Sequence, residues 1–466
     1  MSKNDCPKLL LLLCLAAMPL SPLLAEQSSR ECINLATNVP GNPLGYRVAA
    51  SSGWQTLGSL KFNFTSASDI IAQGAAMLSE NNTPDVPVSY QIWIDNAAAS
   101  WVIDRLPGTF PGTQIFRAFI PDVAPGIHTL SIKVNNMGTV PIDFNGFWIS
   151  PTMVDSLEGT AINQTATPIT INTSWTTLAQ ASLSVGSSQM LMMQGYAEQH
   201  SGTVGQVIEY RFTTGGANLQ TFTDVLAGQM PDGQIVSYIY AAPSTGTNTI
   251  QLQARTGSGT AQIQSRHLWM QTMPRYTVLE GTVSSNSIPN NHAYTVLGSS
   301  PDSTLNSLSL SGLSGGGIRK YTAPVGFGYV TYGSGSSTAE VQLRMEFYEN
   351  GTALGFDIGQ LDQPYASRPK LQTLISNGDG KLGFLPPPAT YKVVFSALGL
   401  CTGTPATPVL AGGRFQIAIA PDNHPYLDIN CGQNPTLACC ANFPQQCTFE
   451  CTPGLPTVSS PQRGCY

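Results

Sequence analysis

The chain has 466 residues, a formal net charge of −6 and only 10% charged side chains, against about a quarter in an ordinary soluble domain. With 21 basic and 27 acidic residues and no lysine- or arginine-rich run, it lacks the phosphate-neutralising patch that a nucleic-acid partner would need. A chain of this length is expected to divide into several units of about 100 to 200 residues rather than build one core.

At the N-terminus, Lys3 and Lys8 flank the start of an apolar run, Leu9–Met18, and PLSPLLA then ends at Ala25 before Glu26. A basic start, a short apolar stretch and a small residue at the cut read as a signal peptide over residues 1–25. Cys14 follows Leu13, where a lipoprotein signal needs a small residue, so cleavage rather than lipidation is expected. No later segment approaches the roughly 18 uninterrupted apolar residues of a membrane helix. The mature chain is therefore expected to be exported, secreted or at the cell surface, with the periplasm as the alternative.

The body is one module written three times. GWQTLGSLKF around Trp54 matches SWTTLAQASL around Trp175, GIHTLSIKVN from Gly126 matches GTNTIQLQAR from Gly246, and Trp148 matches Trp269, at offsets of 120 or 121 residues. A constant offset at separated landmarks means tandem duplication. The third copy is diverged: Tyr294 stands where the opening Trp is expected, Glu340–Phe347 corresponds to SYQIWID and QVIEYRF, PATYKVVFSA from Pro388 replaces GTNTIQLQAR, and GRFQIAIAP from Gly413 closes the unit. Within each copy the apolar period is two. Ile250, Leu252 and Ala254 fall on one face of a strand and Gln251, Gln253 and Arg255 on the other, as a half-buried antiparallel strand requires. TGSGT, Thr256–Thr260, is expected to turn a hairpin into AQIQSRHLWM.

Short strands with turn signals between them predict an all-β chain of three tandem jelly-roll-like antiparallel sandwiches over residues 26–156, 157–279 and 280–421, followed by a small disulfide-rich tail over 422–466. The carrying residues Trp54 and Leu57, Gly126–Leu130 and Phe147-Trp148, with Trp175 and Leu178, Gly246–Ile250 and Leu268-Trp269 in the second copy, resemble the jelly-roll modules related to the C1q and tumour-necrosis-factor folds of bacterial and phage surface proteins. The resemblance implies a fold and a tendency to form homo-trimers or to bind surface ligands; it carries no catalytic residues.

Eight cysteines remain after the signal: Cys32, Cys401, Cys431, Cys439, Cys440, Cys447, Cys451 and Cys465, six of them within the last 36 residues. In an exported chain these are expected to form disulfides, because so short a tail cannot order itself on a core. Zinc is the competing reading, but the tail has no C-x2-C pair and only His424 nearby. Eight cysteines allow 105 pairings, and spacing does not choose among them.

Catalytic chemistry is hard to find, and the sequence points away from an enzyme, with no cofactor and no metal site expected. Five histidines are scattered, and His128 occupies the place of Asn248, which suits a turn-bonding residue. There is no G-x-S-x-G elbow. Glu209, Glu340 and Glu346 lie on the polar sides of strands and are expected to be solvated, although a polysaccharide hydrolase would need only one acidic pair. SNGDGKLGF, Ser376–Phe384, resembles part of a calcium loop but puts Ile375 and Pro386 where acidic ligands belong, so a turn is expected. Trp54, Trp148, Trp175 and Trp269 recur at matching points and are expected in the core. Trp101, with Asp95, Asn96 and Asp104 close by, is the candidate ligand site, since an aromatic ring beside polar acceptors suits a pyranose. The expected function is a secreted, non-enzymatic surface-binding module, carbohydrate-binding or adhesive, with a structural role at the cell surface or a polysaccharide hydrolase as alternatives.

Overall fold

The computed structural model describes residues 32–35, 44–64, 67–78, 86–99, 102–105, 113–153, 159–226 and 231–274, and beyond them the strands between Thr277 and Ser459 named below. The signal segment, Trp101 and all the mature-chain cysteines except Cys32 and Cys451 lie outside the described residues, as does all of Ser376–Phe384 except 380–382. Every regular element among the described residues is a β-strand.

The first group runs β1 (Cys32–Leu35), β2 (Leu44–Val48), β3 (Trp54–Phe64), β4 (Ser68–Leu78), β5 (Pro87–Ile94), β6 (Ala97–Ala98), β7 (Val102–Arg105), β8 (Thr113–Val123), β9 (Gly126–Asn136) and β10 (Ile142–Met153). One sheet has the order β2-β10-β4-β8 with β1 also on β10, and the other β3-β9-β5-β6 with β7 also on β5. The second group is β11 (Thr160–Thr165), β12 (Ile169–Ile171), β13 (Thr176–Val185), β14 (Gln189–Ser201), β15 (Val207–Thr214), β16 (Ala217–Val225), β17 (Asp232–Tyr240), β18 (Gly246–Thr256) and β19 (Ala261–Pro274). Its sheets are β11-β19-β14-β17, with β12 on β19, and β13-β18-β15-β16.

The third group is β20 (Thr277–Val283), β21 (Asn286–Ser287), β22 (Thr295–Ser299), β23 (Ser303–Leu305), β24 (Arg319–Tyr321), β25 (Val325–Tyr332), β26 (Glu340–Glu349), β27 (Thr352–Ile358), β28 (Lys370–Ile375), β29 (Gly380–Leu382), β30 (Ala389–Leu400) and β31 (Pro408–Pro421). Here β31 lies between β20 and β25 with β28 beyond, and the other sheet runs β22-β30-β26-β27. Counting broken strands as one, all three groups place their strands in the order first-eighth-third-sixth and second-seventh-fourth-fifth. That permutation is a jelly roll: two four-stranded antiparallel sheets between which consecutive strands alternate, except for the fourth and fifth, which pair as a hairpin in one sheet.

The topology corrects one local expectation. β18 pairs with β13 and β15, whereas β19 pairs with β11, β12 and β14. The Gly257–Gly259 connection is thus an arch between sheets and not a hairpin turn, because the apolar faces of the two strands must meet across the core. The alternation itself holds: Ile250, Leu252 and Ala254 are fully buried while Gln251, Gln253 and Arg255 are half-buried. Close packing explains two glycines inside strands. A Cβ on Gly58 would lie 1.8 Å from Phe147 Cζ, and one on Gly195 would lie 2.9 Å from Leu252, so neither position has room for a side chain.

One sheet of the central sandwich is covered on both of its faces. β14 is buried without interruption from Met190 to Gln199, and β17 from Gly233 to Ile239. Leu191, Met193 and Ala197 enter the core of their own sandwich, while Tyr196 and Ile235 join the first sandwich's core of Tyr46, Tyr90, Phe144 and Phe147. Phe119 packs with Met190, Met192, Ile239 and Trp269, and Val278 at the start of the third group packs against them. Gln416 clamps β17 from the third sandwich, its Oε1 accepting from Ile239 N at 3.0 Å and its Nε2 donating to Ile239 O at 3.1 Å. Asp224 Oδ1 accepts Leu371 N at 3.2 Å, and the Arg414 guanidinium reaches Gln220 at 3.0 Å and Glu280 at 2.8 Å.

The tail returns to the beginning of the chain. β32 (Glu450–Pro453) adds to the edge strand β3, and β33 (Thr457–Ser459) adds to β2.

Two outcomes are expected. Gly58→Ala should cost about 1–3 kcal/mol by overpacking against Phe147, measured by chemical denaturation. His267 stacks on Tyr196 at 5.2 Å in the joint, and burial pushes its pKa down to about 4. The unfolded chain takes up this proton near the ordinary value of about 6.5, so stability should fall as pH drops from there through about 4, by at most roughly 3 kcal/mol. Burial raises the pKa of neighbouring Glu198, whose contribution is present at low pH and lost as pH rises, which opposes the effect. His267→Gln should flatten the acid limb of denaturant midpoints measured between pH 7 and pH 4.

Candidate functional site

The second sandwich turns the strands β13, β18 and β15 of its other sheet away from the joint, β16 at the edge meeting the third sandwich through Gln220 and Asp224, and period-two alternation puts a grid of polar side chains on the open face. Thr177, Gln253, Arg211 and Thr221 face one another across four strands, and Gln180 and Gln251 form the next row, with Thr213 opposite Gln251 buried. A chain of hydrogen bonds crosses these rows. Arg211 Nε donates to Gln253 Oε1 at 2.8 Å, Gln253 Nε2 to Gln251 Oε1 at 2.8 Å, and Gln251 Nε2 to Gln180 Oε1 at 2.8 Å. Ser182 and Thr249 share a hydroxyl–hydroxyl bond of 2.8 Å at the far end.

Trp175, the residue before β13, anchors the near end. Its ring centroid lies 4.0 Å from Arg211 Cζ and 4.6 Å from Arg255 Cζ, close enough for cation–π attraction to hold both guanidiniums over the sheet. Arg255 is also ion-paired with Glu209 across the strand pair. Burial, and then the positive charge of Arg255, lower the pKa of Arg211. An arginine held this way has its planar fork ordered before any ligand arrives.

The first sandwich presents the same face with the parts exchanged. Gln91 on β5 opposes Lys133 on β9, as Arg211 on β15 opposes Gln253 on β18. Lys133 Nζ sits 3.5 Å from the centroid of Trp93, whose Nε1 donates to Gln91 Oε1 at 2.7 Å. Trp54, opposite Asn135, is 38% exposed at the end of this sheet. Each face therefore carries an amide and a cation as a cross-strand pair, with an indole against the cation.

These positions revise the reading of the tryptophans. Trp54 and Trp175 are not core residues: Trp54 begins β3 and Trp175 immediately precedes β13, Trp54 being exposed and Trp175 lying against the two arginines of the outward sheet. Trp269 is buried, but in the joint between sandwiches and not within one; the side chain of Trp148 is outside the described residues. Trp93 was passed over in the sequence because it has no tryptophan counterpart, Thr213 standing at the equivalent place. Its signal was an indole on the polar side of the alternating strand SYQIWID.

Of the candidate ligand residues Trp101, Asp95, Asn96 and Asp104, Trp101 and the side chain of Asp104 lie outside the described residues. Asp95, at a positive φ of 50° in the turn after β5, bonds His128 Nδ1 through Oδ2 at 2.9 Å and accepts Thr129 N at Oδ1, also at 2.9 Å. Its carboxylate thus latches a turn. Asn96 is exposed beside it, and Asp104 lies on β7, which with β6 edges the sheet that carries Trp93. His128 Nε2 contacts Ala124 O at 2.8 Å, and Asn248 Nδ2 donates to Ser244 O at 2.6 Å. Both residues tie down the same turn four residues back, the role expected from their alignment. Among the described residues no group of three or more His, Cys, Asp or Glu could hold a metal, and no helix is long and apolar enough to cross a membrane.

No protein-family model matches the chain, and no curated protein matches it in sequence. Solved structures with some similarity include the infectious bursal disease virus VP2 subviral particle (7% identity over 84% of this chain and 82% of that one, TM-score 0.22) and PNGF-II (6%, 76% and 99%, TM-score 0.27). Another is an archaeal virus protein described by its triple jelly roll fold and turret assembly (8%, 80% and 91%, TM-score 0.18). Scores this low carry no argument, and the jelly-roll fold rests on the strand order.

Because Asn does the work of His128 in the second copy, His128→Asn should cost under about 1 kcal/mol. Asp95→Ala removes both turn bonds and should cost about 1–3 kcal/mol. Urea denaturation of the two variants compares them directly.

Proposed function

We propose that this is an exported, non-enzymatic binding protein whose outward sheets take an extended glycan. The carrying observation is the repeated cross-strand pair of amide and cation with its indole, Gln91–Lys133 with Trp93 and Arg211–Gln253 with Trp175. Glutamine amides and serine or threonine hydroxyls both donate and accept, which matches rows of sugar hydroxyls. Arg211 and Lys133 favour glycans that bear carboxylates, and Arg211 can offer a planar fork to one. Each face would bind weakly, and two on one chain would multiply that binding. Trp101, Asn96 and Asp104 stay proposed as ligand-binding residues on the sequence reading, whereas the engagement of Asp95 in the turn speaks for a supporting role. The finer kinship with C1q- and tumour-necrosis-factor-like modules is proposed on the residues of the repeat, and with it the homo-trimer.

A glycan array of neutral and uronic-acid polysaccharides tests the reading. Acidic glycans should give the stronger signal, and Trp175→Ala or Arg211→Ala should each weaken binding by roughly tenfold, the size of a loss of about 1.4 kcal/mol, with an unchanged circular dichroism spectrum. Silence across the array from a protein that sediments as a stable trimer would replace the glycan reading with an assembly role.

A further inference from the structure

The tail and the start of the chain meet at one edge of the first sandwich, and each brings a cysteine. β1 extends the sheet of β10, with Asn34 opposite Phe147 and Cys32 opposite Ile149. β32 extends the sheet of β3, with Pro453 opposite Gly58 and Cys451 opposite Leu60. The Gly58–Phe147 approach shows which faces look at each other, since a Cβ on Gly58 would strike the buried Phe147 ring. Directly opposed residues share a face, as do residues two apart along a strand. Cys32 therefore belongs to the face of its sheet that carries Phe147, and Cys451 to the face of its sheet that carries Gly58. These are the two facing sides of the sandwich, and Cα atoms of β1 and β32 approach within 8 Å. Disulfides need Cα separations of about 4.4–6.8 Å, a range compatible with strands this close.

We propose that Cys32 and Cys451 form a disulfide that locks the C-terminal tail onto the first jelly roll. Two thiols lose their protons, the Sγ–Sγ bond forms, and the two electrons reduce the disulfide of a dithiol oxidase of the exporting compartment to its dithiol. The bond has a structural consequence. β32 and β33 cover the edge strands β3 and β2, whose free backbone groups would otherwise template pairing between chains. Holding β32 by a covalent link keeps both edges covered. Six cysteines, an even number, are left to pair among themselves: Cys401, Cys431, Cys439, Cys440, Cys447 and Cys465. The inference rests on the export proposed above and is independent of the glycan reading.

Peptide mapping of the full chain, exported from its host and alkylated without reduction, decides the pairing. Trypsin with a glutamate-specific protease cuts after Glu31, Arg47, Glu450 and Arg463, so each of the two cysteines falls in a peptide of its own, 32–47 and 451–463. The expected product is these two peptides joined, lost on reduction. Alkylated Cys32, or Cys32 joined to any other peptide, overturns the proposal. In Cys451→Ser the new alkylatable thiol should be Cys32, and in Cys32→Ser it should be Cys451; a new thiol elsewhere counts against the pairing. If either variant fails to fold, the map of the unaltered chain still decides.

Discussion

The three-sandwich body depends on burial of the second face of one sheet. In an isolated jelly roll each sheet hides one side and wets the other. Here the central sheet of β14, β17 and β19 hides both: Leu191, Met193 and Ala197 inside its own sandwich, and Tyr196, Ile235, Met192, Ile239 and Trp269 against the neighbours. The hydrophobic effect acts on the area removed from water, so this second face gives the neighbouring sandwiches a reason to pack where linkers alone would leave them independent. Polar groups in the joint need partners, and Gln416 supplies both halves of the bond to Ile239 while Asp224 receives Leu371. The cost of the arrangement shows in His267 and Glu198, both buried and both pushed away from their charged forms.

Committing one sheet of the central sandwich to the joint leaves the outer face of its other sheet to solvent, except at the edge strand β16, where Gln220 and Asp224 meet the third sandwich. The open face of that sheet is built largely from glutamine, threonine, serine and arginine, in keeping with a chain that has only 10% charged residues. A face of this kind is polar yet carries little net field, so it recognises by local hydrogen bonding more than by long-range attraction. The two arginines are exceptions held in place by Trp175, and Lys133 is held by Trp93 in the same manner. The duplication thus preserved an arrangement of side-chain types while exchanging their positions across a strand pair.

Much of the fold was legible because its signals are local. The alternation in Gly246–Thr256 marks the buried face of β18, and the matched offsets assign the same strand to β9 and, through PATYKVVFSA, to β30. His128 and Asn248 could be equated as turn residues before any contact was known. The outward tryptophans were misread, because recurrence in a repeat does not distinguish a residue kept for packing from one kept on a surface. The candidate faces were missed for a related reason: Lys133 and Gln253 become partners of Gln91 and Arg211 only when strands 42 residues apart are laid side by side.

Sequence alone determined that the chain is all-β, that its module repeats, and which side of many strands is apolar, since period-two patterning involves only residues close along the chain. Tertiary structure decided which strands share a sheet, so that Gly257–Gly259 became an arch instead of a hairpin. It also decided that Met190–Gln199 would be buried on both sides, and that β32 and β33 would close on β3 and β2 from the far end of the sequence. Backbone hydrogen bonds in a sheet are indifferent to side-chain identity. Which strand meets which is therefore settled by the packing of the whole, where residues hundreds of positions apart compete for the same faces.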